Sequence, residues 1–426
     1  MRILGFSRLA LLSCVAAAIL AGCGGSQPPI GAPGAVAQIR STTSNSGYSV
    51  LHSFGGPGDG SEPWARLLNV NGVLYGTTSS GGRTLVSGTI YTILPSGQER
   101  VLYSGTSNSD EMLGGLTQVG ELLYGSAWMG GTRDAGNVYS FPILPASATP
   151  SGIERVIYQF PGNLSGALPN SDLTYSNGKL FGGTESGGCC TGEWNAGTVF
   201  SVTLAGHRHV LHLFGGAGDA NSPAGDLLVL QGNVYGTARG GGGPSDCGNV
   251  YTATQAGVYT VLYSFAGGTD ACNSNSGLIQ VNGTLYGTSE YGGTHGQGTV
   301  FSITPAGNEK VIYSFAGPPN DGAYSSAGLL YAAGKLYGTT TYGGTCATTS
   351  SGCGTVFSVT LSGTETVLYK FGGEKSTGHS DGKHPLSSLI NVGGRLYGTT
   401  LYGGSFNDCD SEGQGCGTVY SIGPSK

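Results

Sequence analysis

SGLIQVNGTLYGTSEYGGTHGQGTVFSITPAGNEKVIYSF, residues 276–315, holds the pattern that decides the fold. Its β-branched and aromatic residues fall into four short runs, 277–281, 284–288, 298–304 and 310–315. Asn282-Gly283 separates the first two runs and Ala306-Gly307 the last two. Asn-Gly between apolar runs is a strong hairpin signal, because a tight type I′ turn needs positive φ at both central residues. The stretch therefore predicts a four-stranded antiparallel meander in which short turns alternate with a longer loop.

The same pattern runs through the rest of the chain. LYGTT at 74–78 recurs at 336–340 and 396–400, and weaker copies begin at Leu123, Leu180, Val234 and Leu285, which makes seven. Gly-Thr/Asn-Val/Ile-Tyr/Phe also occurs seven times, from Gly88, Gly136, Gly197, Gly248, Gly298, Gly354 and Gly417. A third marker, Val-Leu/Ile-Tyr/His-x-Phe, begins at Val50, Val101, Val156, Val210, Val261, Val311 and Val367, with Gly105 replacing Phe in the second copy. A period of about 50 residues with four strands per unit describes propeller blades. The domain opens with a fourth strand near 48–54 and finishes with a third near 417–422. Pairing the two would complete the last blade and hide both edges, whereas a linear solenoid gains nothing from such ends. The fold class is thus all-β: a seven-bladed β-propeller with four antiparallel strands per blade, closed by an N-terminal strand.

The LYGTT…GG…GTVF…G…VLYSF unit resembles the GloVer (Gloeo/Verruco) tandem repeats of variously anchored bacterial surface proteins, over almost all of 48–422. The resemblance implies an exported, propeller-like protein and brings no catalytic residues with it. The strand order also resembles that of NHL-type blades.

Glycine, 81 of 426 residues, shows no G-X-Y period, and 23 Tyr with 13 Phe supply core material, so turns account for it better than collagen or a disordered linker. A net charge of -6 argues against a nucleic-acid partner. Arg2 and Arg8 precede an apolar run from Leu9 to Leu20, too short for a comfortable membrane span. Leu20-Ala21-Gly22-Cys23 then resembles the lipobox of bacterial lipoproteins. The expected organisation is a signal peptide at 1–22, lipidated Cys23 with a Gly/Pro/Ser-rich tether at 23–47, and the propeller at 48–426. By resemblance to enterobacterial lipoproteins, in which Asp after the cysteine implies inner-membrane retention, Gly24 implies an outer-membrane or cell-surface destination, with the membrane a partner through the lipid.

In such a meander the two short turns of each blade share one face and the two longer connections share the other. The longer connections vary most between repeats, and variable loops on a rigid scaffold are where binding normally resides. Trp64, Trp128 and Trp194 fall in or beside them, as do Tyr291, Tyr342 and Tyr402, each placed before a Gly-Gly pair. Exposed aromatic rings stack on sugars or anchor proteins, although they also pack on one another. The cysteines cluster on the same face. Spacing predicts disulfides Cys346–Cys353 and Cys409–Cys416, with Cys247–Cys272 a third pair, in an oxidising compartment; Cys189-Cys190 stays unassigned.

Candidate chemistry is sparse. Gly378-His379-Ser380-Asp381-Gly382 matches G-x-S-x-G but lies in a long loop with no helix after it. His207 and His209 flank an exposed turn, while His52 and His212 fill a slot that five repeats give to Tyr. Asp59, Asp219, Asp270, Asp321 and Asp381 recur after the fourth strand, with Asp110 nearby in another copy. They lack the D-x-D-x-D density of a calcium loop and are expected to bond their own turn backbone. No metal, cofactor or catalytic residue is assigned. The expected function is a non-enzymatic binding module for a glycan or surface protein. The alternatives are a polysaccharide hydrolase or lyase and a structural or adhesive envelope protein. A shallow apolar groove would favour binding, a carboxylate pair near the axis catalysis, and a flat face the structural role.

Overall fold

The computed structural model describes residues 47–426 apart from 84–86, 107–108, 145–153, 190–195, 217–218, 347–348, 373–380, 407–408, 410–413 and 424–426. Seven antiparallel sheets form the blades, each a meander of four paired strands, with one short extra strand, Ala167–Pro169, on the third. The innermost strands are Leu68–Val70, Thr117–Val119, Thr174–Ser176, Ala220–Leu230, Ile279–Val281, Leu330–Ala332 and Ile390–Val392, numbered here as blades 1 to 7. Blade 5 continues through Thr284–Ser289, Thr299–Ile303 and Glu309–Ser314, close to the runs read from sequence. The innermost strands of blades 7 and 1 approach each other, which closes the ring.

Closure uses the two chain ends. Tyr48–Ser53 pairs antiparallel with Thr418–Ile422, with Tyr48 opposite Ile422, so the N-terminal strand is the outer strand of blade 7. The Tyr48 ring is fully buried and stacks on Tyr369 at 3.9 Å, while its hydroxyl donates to the Asp381 carbonyl.

Each blade core rests on one glycine. The Gly of LYGTT lies opposite the aromatic of the next strand, as Gly287 does opposite Phe301. A Cβ on Gly287 would lie 2.6 Å from Phe301 Cζ, and one on Gly338 would lie 2.6 Å from Phe357 Cζ. The absent side chain is what lets the ring lie flat over the strand, so the two motifs depend on each other.

Neighbouring blades are joined by a recurring polar node. Tyr313 Oη donates to Asp321 Oδ2 at 2.8 Å, and Asp321 Oδ1 accepts Gly322 N at 2.6 Å. Glu365, from the outer strand of the next blade, faces the same aspartate. Burial first, then Asp321, pushes its carboxyl up to about 7. Tyr263, Asp270 and Glu309 repeat the arrangement, with Glu309 also at about 7. Asp59, Asp219, Asp270 and Asp321 each accept the backbone N–H of the following residue, as the sequence pattern predicts.

Candidate functional site

The face carrying the long connections presents a continuous row of rings across blades 5 to 7. Tyr291 meets Tyr324 edge-on at 5.1 Å, and Tyr324 meets Tyr342 at 5.6 Å. Tyr342 meets His384 at 4.7 Å, and His384 meets Tyr402 at 5.7 Å. Tyr291 and Tyr342 are held by two-residue ladders, opposite Cys272 and Ala323, and Tyr402 by a bridge to Lys383. Tyr291 is 42% exposed and the other four rings are half-buried, so one edge of the row faces solvent. Burial first, then Lys383, pulls His384 down to about 4, leaving a neutral imidazole at physiological pH.

Tyr324 and His384 reach their places through an unusual backbone. Counting back five residues from Leu67, Leu116, Leu173, Leu227, Leu278, Leu329 and Leu389, the buried leucines in or just before the innermost strands, gives Glu62, Glu111, Leu168, Ser222, Asn273, Tyr324 and His384. All seven have φ between 50° and 59°. A left-handed conformation costs a non-glycine residue about 1–2 kcal/mol, and here each blade repeats it. Backbone bonds hold it: Tyr324 N donates to Gln297 O, and Thr341 N donates to Tyr324 O.

A polar set adjoins the rings. Glu290 Oε1 accepts Asn275 Nδ2 at 2.6 Å and Ser326 Oγ at 2.9 Å, and Arg239 Nη2 lies 3.6 Å from Glu290 Oε2. The Arg239 side chain is 51% exposed, so this ion pair adds little stability and its remaining donors face solvent.

A second cluster sits where the innermost strands begin, at the long-loop end of the axis. Arg66 Nε of blade 1 lies 2.6 Å from Asp172 Oδ2 of blade 3 and 3.7 Å from Asp226 Oδ2 of blade 4. Asp172 N donates to Asp226 Oδ1 at 3.1 Å. The Asp226 side chain keeps 34% exposure. The surrounding blades still desolvate it, and that burial, then Asp172, pushes its carboxyl above the ordinary range against the pull of Arg66.

A family model described as the Gloeobacter/Verrucomicrobia repeat matches residues 31–192 and 146–350. The chain belongs to this repeat family. No curated protein matches it. Among solved structures it is similar to an ancestral GH74 enzyme, with a TM-score of 0.51, 12% identity, and coverage of 85% of this chain and 47% of that one. A gluconolactonase from Xanthomonas campestris matches at 0.40 and 11%, over 91% of this chain and 93% of that one. An α-L-arabinanase from Penicillium chrysogenum matches at 0.44 and 14%, over 74% and 98%. These are likenesses of fold, and the proteins named are enzymes. The expectation of a chain without catalytic activity is corrected to this extent: the fold is one that enzymes also use, so the architecture does not support excluding catalysis, and no reaction is assigned by it.

In this repeat-family chain the three tyrosines predicted from sequence fall in one row, joined by Tyr324 and His384. The tryptophans do not join it among the described residues. Trp128 Nε1 lies 3.2 Å from Glu185 Oε2 on blade 3, and Trp64, 40% exposed, stands two residues before Arg66. Trp194, Cys190, Gly378, His379 and Ser380 lie outside the described residues, as do the leader and Cys23. Cys247 is bonded to Cys272, Cys346 to Cys353 and Cys409 to Cys416, which fits an exported protein. No helix among the described residues is long and apolar enough to cross a membrane. His212 stacks on Tyr259 at 3.8 Å and His52 packs edge-on against Phe54, so both fill blade-packing slots. His207 and His209 are exposed and join no three-ligand group among the described residues.

Sequence reasoning missed Tyr324, His384, Glu290 and the axial charges, and a signal for the last was present. Arg66, Asp172 and Asp226 directly precede the buried leucines Leu67, Leu173 and Leu227. The other four blades place Gly115, Gly277, Gly328 and Ser388 there. Three charges at a position otherwise reserved for the smallest residues mark the axis as a site.

Proposed function

We propose that this protein is an envelope lipoprotein, anchored through Cys23 on the outer membrane or cell surface, that binds a polysaccharide across its long-loop face. The observation that carries the reading is the row of five partly exposed rings beside the Glu290, Asn275, Ser326 and Arg239 set. Pyranose rings offer apolar C–H faces to aromatic side chains and hydroxyls to carboxylate, amide and guanidinium groups, so this combination matches both surfaces of a sugar. A row spanning three blades suits a chain of several sugars. The test is a broad glycan array probed with the full chain in mild detergent, beside Tyr324→Ala and Tyr342→Ala. Selective binding lost in both variants supports the reading, and absence of binding to every glycan overturns it.

The axial cluster favours a second reading, in which the bound polysaccharide is cleaved. Two carboxyl groups meet one guanidinium, and the environment raises the proton affinity of Asp226. One carboxyl of raised proton affinity beside a second acid is the kind of pair used in glycoside hydrolysis. In this reading Asp226 is the proton donor and Asp172 the carboxylate oriented by Arg66. Release of reducing ends from the array's best ligand, abolished by Asp226→Asn with binding retained, would support it; equal release by wild type and variant would refute it.

A further inference from the structure

The blade-to-blade node occurs in several chemical versions, and one of them is unlike the rest. Its ring position is Tyr263, Tyr313 or Tyr369 in three nodes, and His212 or His52 in two. Its outer-strand position holds Glu309, Glu365 or Glu99 in three nodes, and Tyr259 or Tyr48 in the other two. His212 therefore meets Asp219 and Tyr259, while Tyr263 and Tyr313 meet one aspartate and one glutamate each. Among the described residues, an imidazole, an aspartate and a glutamate converge only where blade 7 meets blade 1.

There, one ligand-type atom from each of His52, Asp59 and Glu99 lies within 4.8 Å of the other two. His52 Nε2 is 2.9 Å from Asp59 Oδ2. Asp59 Oδ1 is already occupied by Gly60 N, which fixes the carboxylate in its turn. Glu99 Oε1 is buried and has no hydrogen-bond partner. The His52 and Asp59 side chains keep 20% and 10% exposure, so an ion has a path from solvent. From this geometry we infer that His52, Asp59 and Glu99 form a site for a first-row divalent cation of the zinc type.

The donor set is the reason for that class. An imidazole nitrogen with two carboxylate oxygens suits zinc and its neighbours better than calcium, which takes six or more oxygens. Three protein donors leave a fourth position for water. Two carboxylates around a divalent ion balance its charge, and the ion gives the orphaned Glu99 oxygen a partner. Its place in the chain also defines its effect. His52 lies on the ring-closing strand Tyr48–Ser53, and Glu99 begins the outer strand of blade 1, Glu99–Ser104. The cation would clasp the N-terminal strand to the next blade and hold the ring shut.

The test uses the full chain without a histidine tag, stripped with EDTA and then titrated with Zn2+ against a chromogenic chelator, with bound metal counted by mass spectrometry. Expected are one zinc per chain and a Tm several degrees higher with zinc than with EDTA. His52→Tyr installs the residue that five other blades carry at that position, so it preserves the node while removing the nitrogen donor. It should weaken zinc binding at least tenfold and leave the Tm in EDTA near wild type. Glu99→Gln provides a second loss variant, and His209→Gln controls for adventitious histidines. Failure of the wild type to retain zinc overturns the inference, as does undiminished binding in both His52→Tyr and Glu99→Gln.

Discussion

Gly287→Ala tests the packing rule that joins the two repeat motifs. The added Cβ would stand 2.6 Å from Phe301 Cζ and 3.0 Å from Leu278 Cδ2. Carbon atoms in contact rest about 3.5–4.0 Å apart, so the ring must retreat by about 1 Å. It has little room, since Phe301 is fully buried with Val250, Phe265, Leu278, Leu285 and Ile303. Overpacking of this kind costs about 1–3 kcal/mol, and replacing a strand glycine returns about 0.5–1 kcal/mol. The net expectation is a loss of about 1–2 kcal/mol. Phe301→Leu removes the clashing ring at its own cost, and the double variant should be less destabilised than the sum of the singles by about 1 kcal/mol. Urea unfolding followed by circular dichroism measures all four forms. A Gly287→Ala midpoint indistinguishable from wild type, or strictly additive effects, would refute the idea that this glycine exists to seat the ring.

Deleting residues 48–53 exposes the edge of Thr418–Ile422, and an unpaired strand edge recruits other chains; light scattering should show larger assemblies than the intact chain forms at the same concentration. Glu309 and Glu365 are raised from 4.5 to about 7 in the folded state. Their contribution is therefore complete below about pH 4.5 and lost as pH rises through 7. Both are part-exposed, so screening reduces it to about 1 kcal/mol each; Glu309→Gln with Glu365→Gln should flatten the decline in urea midpoint between pH 5 and 8.5, and an unchanged slope would exclude them as its source. Cys247→Ser with Cys272→Ser opens a loop of sequence separation 25, and should lower stability by about 2–4 kcal/mol in the same unfolding assay.

The fold was legible because its punctuation is local. Asn282-Gly283 and its counterparts announce each hairpin within four residues, and the mismatched ends announce closure without any knowledge of side-chain contacts. Tyr291, Tyr342 and Tyr402 were legible for the same reason, since each stands at a fixed distance from LYGTT. Tyr324 and His384 were not, because the connection before them differs in length between blades and they align only when counted back from Leu329 and Leu389. The left-handed backbone there is shared by Glu62, Glu111, Leu168, Ser222, Asn273, Tyr324 and His384, six residue types at seven positions, so no residue type signals it. Arg66, Asp172 and Asp226 span about 160 positions of sequence, and only the closed ring brings blades 1, 3 and 4 to one axis. The expectation of no catalytic activity was argued from missing motifs, and a charge cluster that only topology assembles leaves no motif to read.

The most direct measurement of the central claim is amide hydrogen exchange by mass spectrometry, with and without the polysaccharide that binds best on the array. The account predicts protection confined to peptides spanning 238–240, 273–276, 289–293, 322–327, 340–344, 383–385 and 400–403, the segments that carry the ring row and its polar neighbours. Protection at the short turns around Gly283, Gly334 and Gly394 instead, or none on the long-loop face, would contradict it.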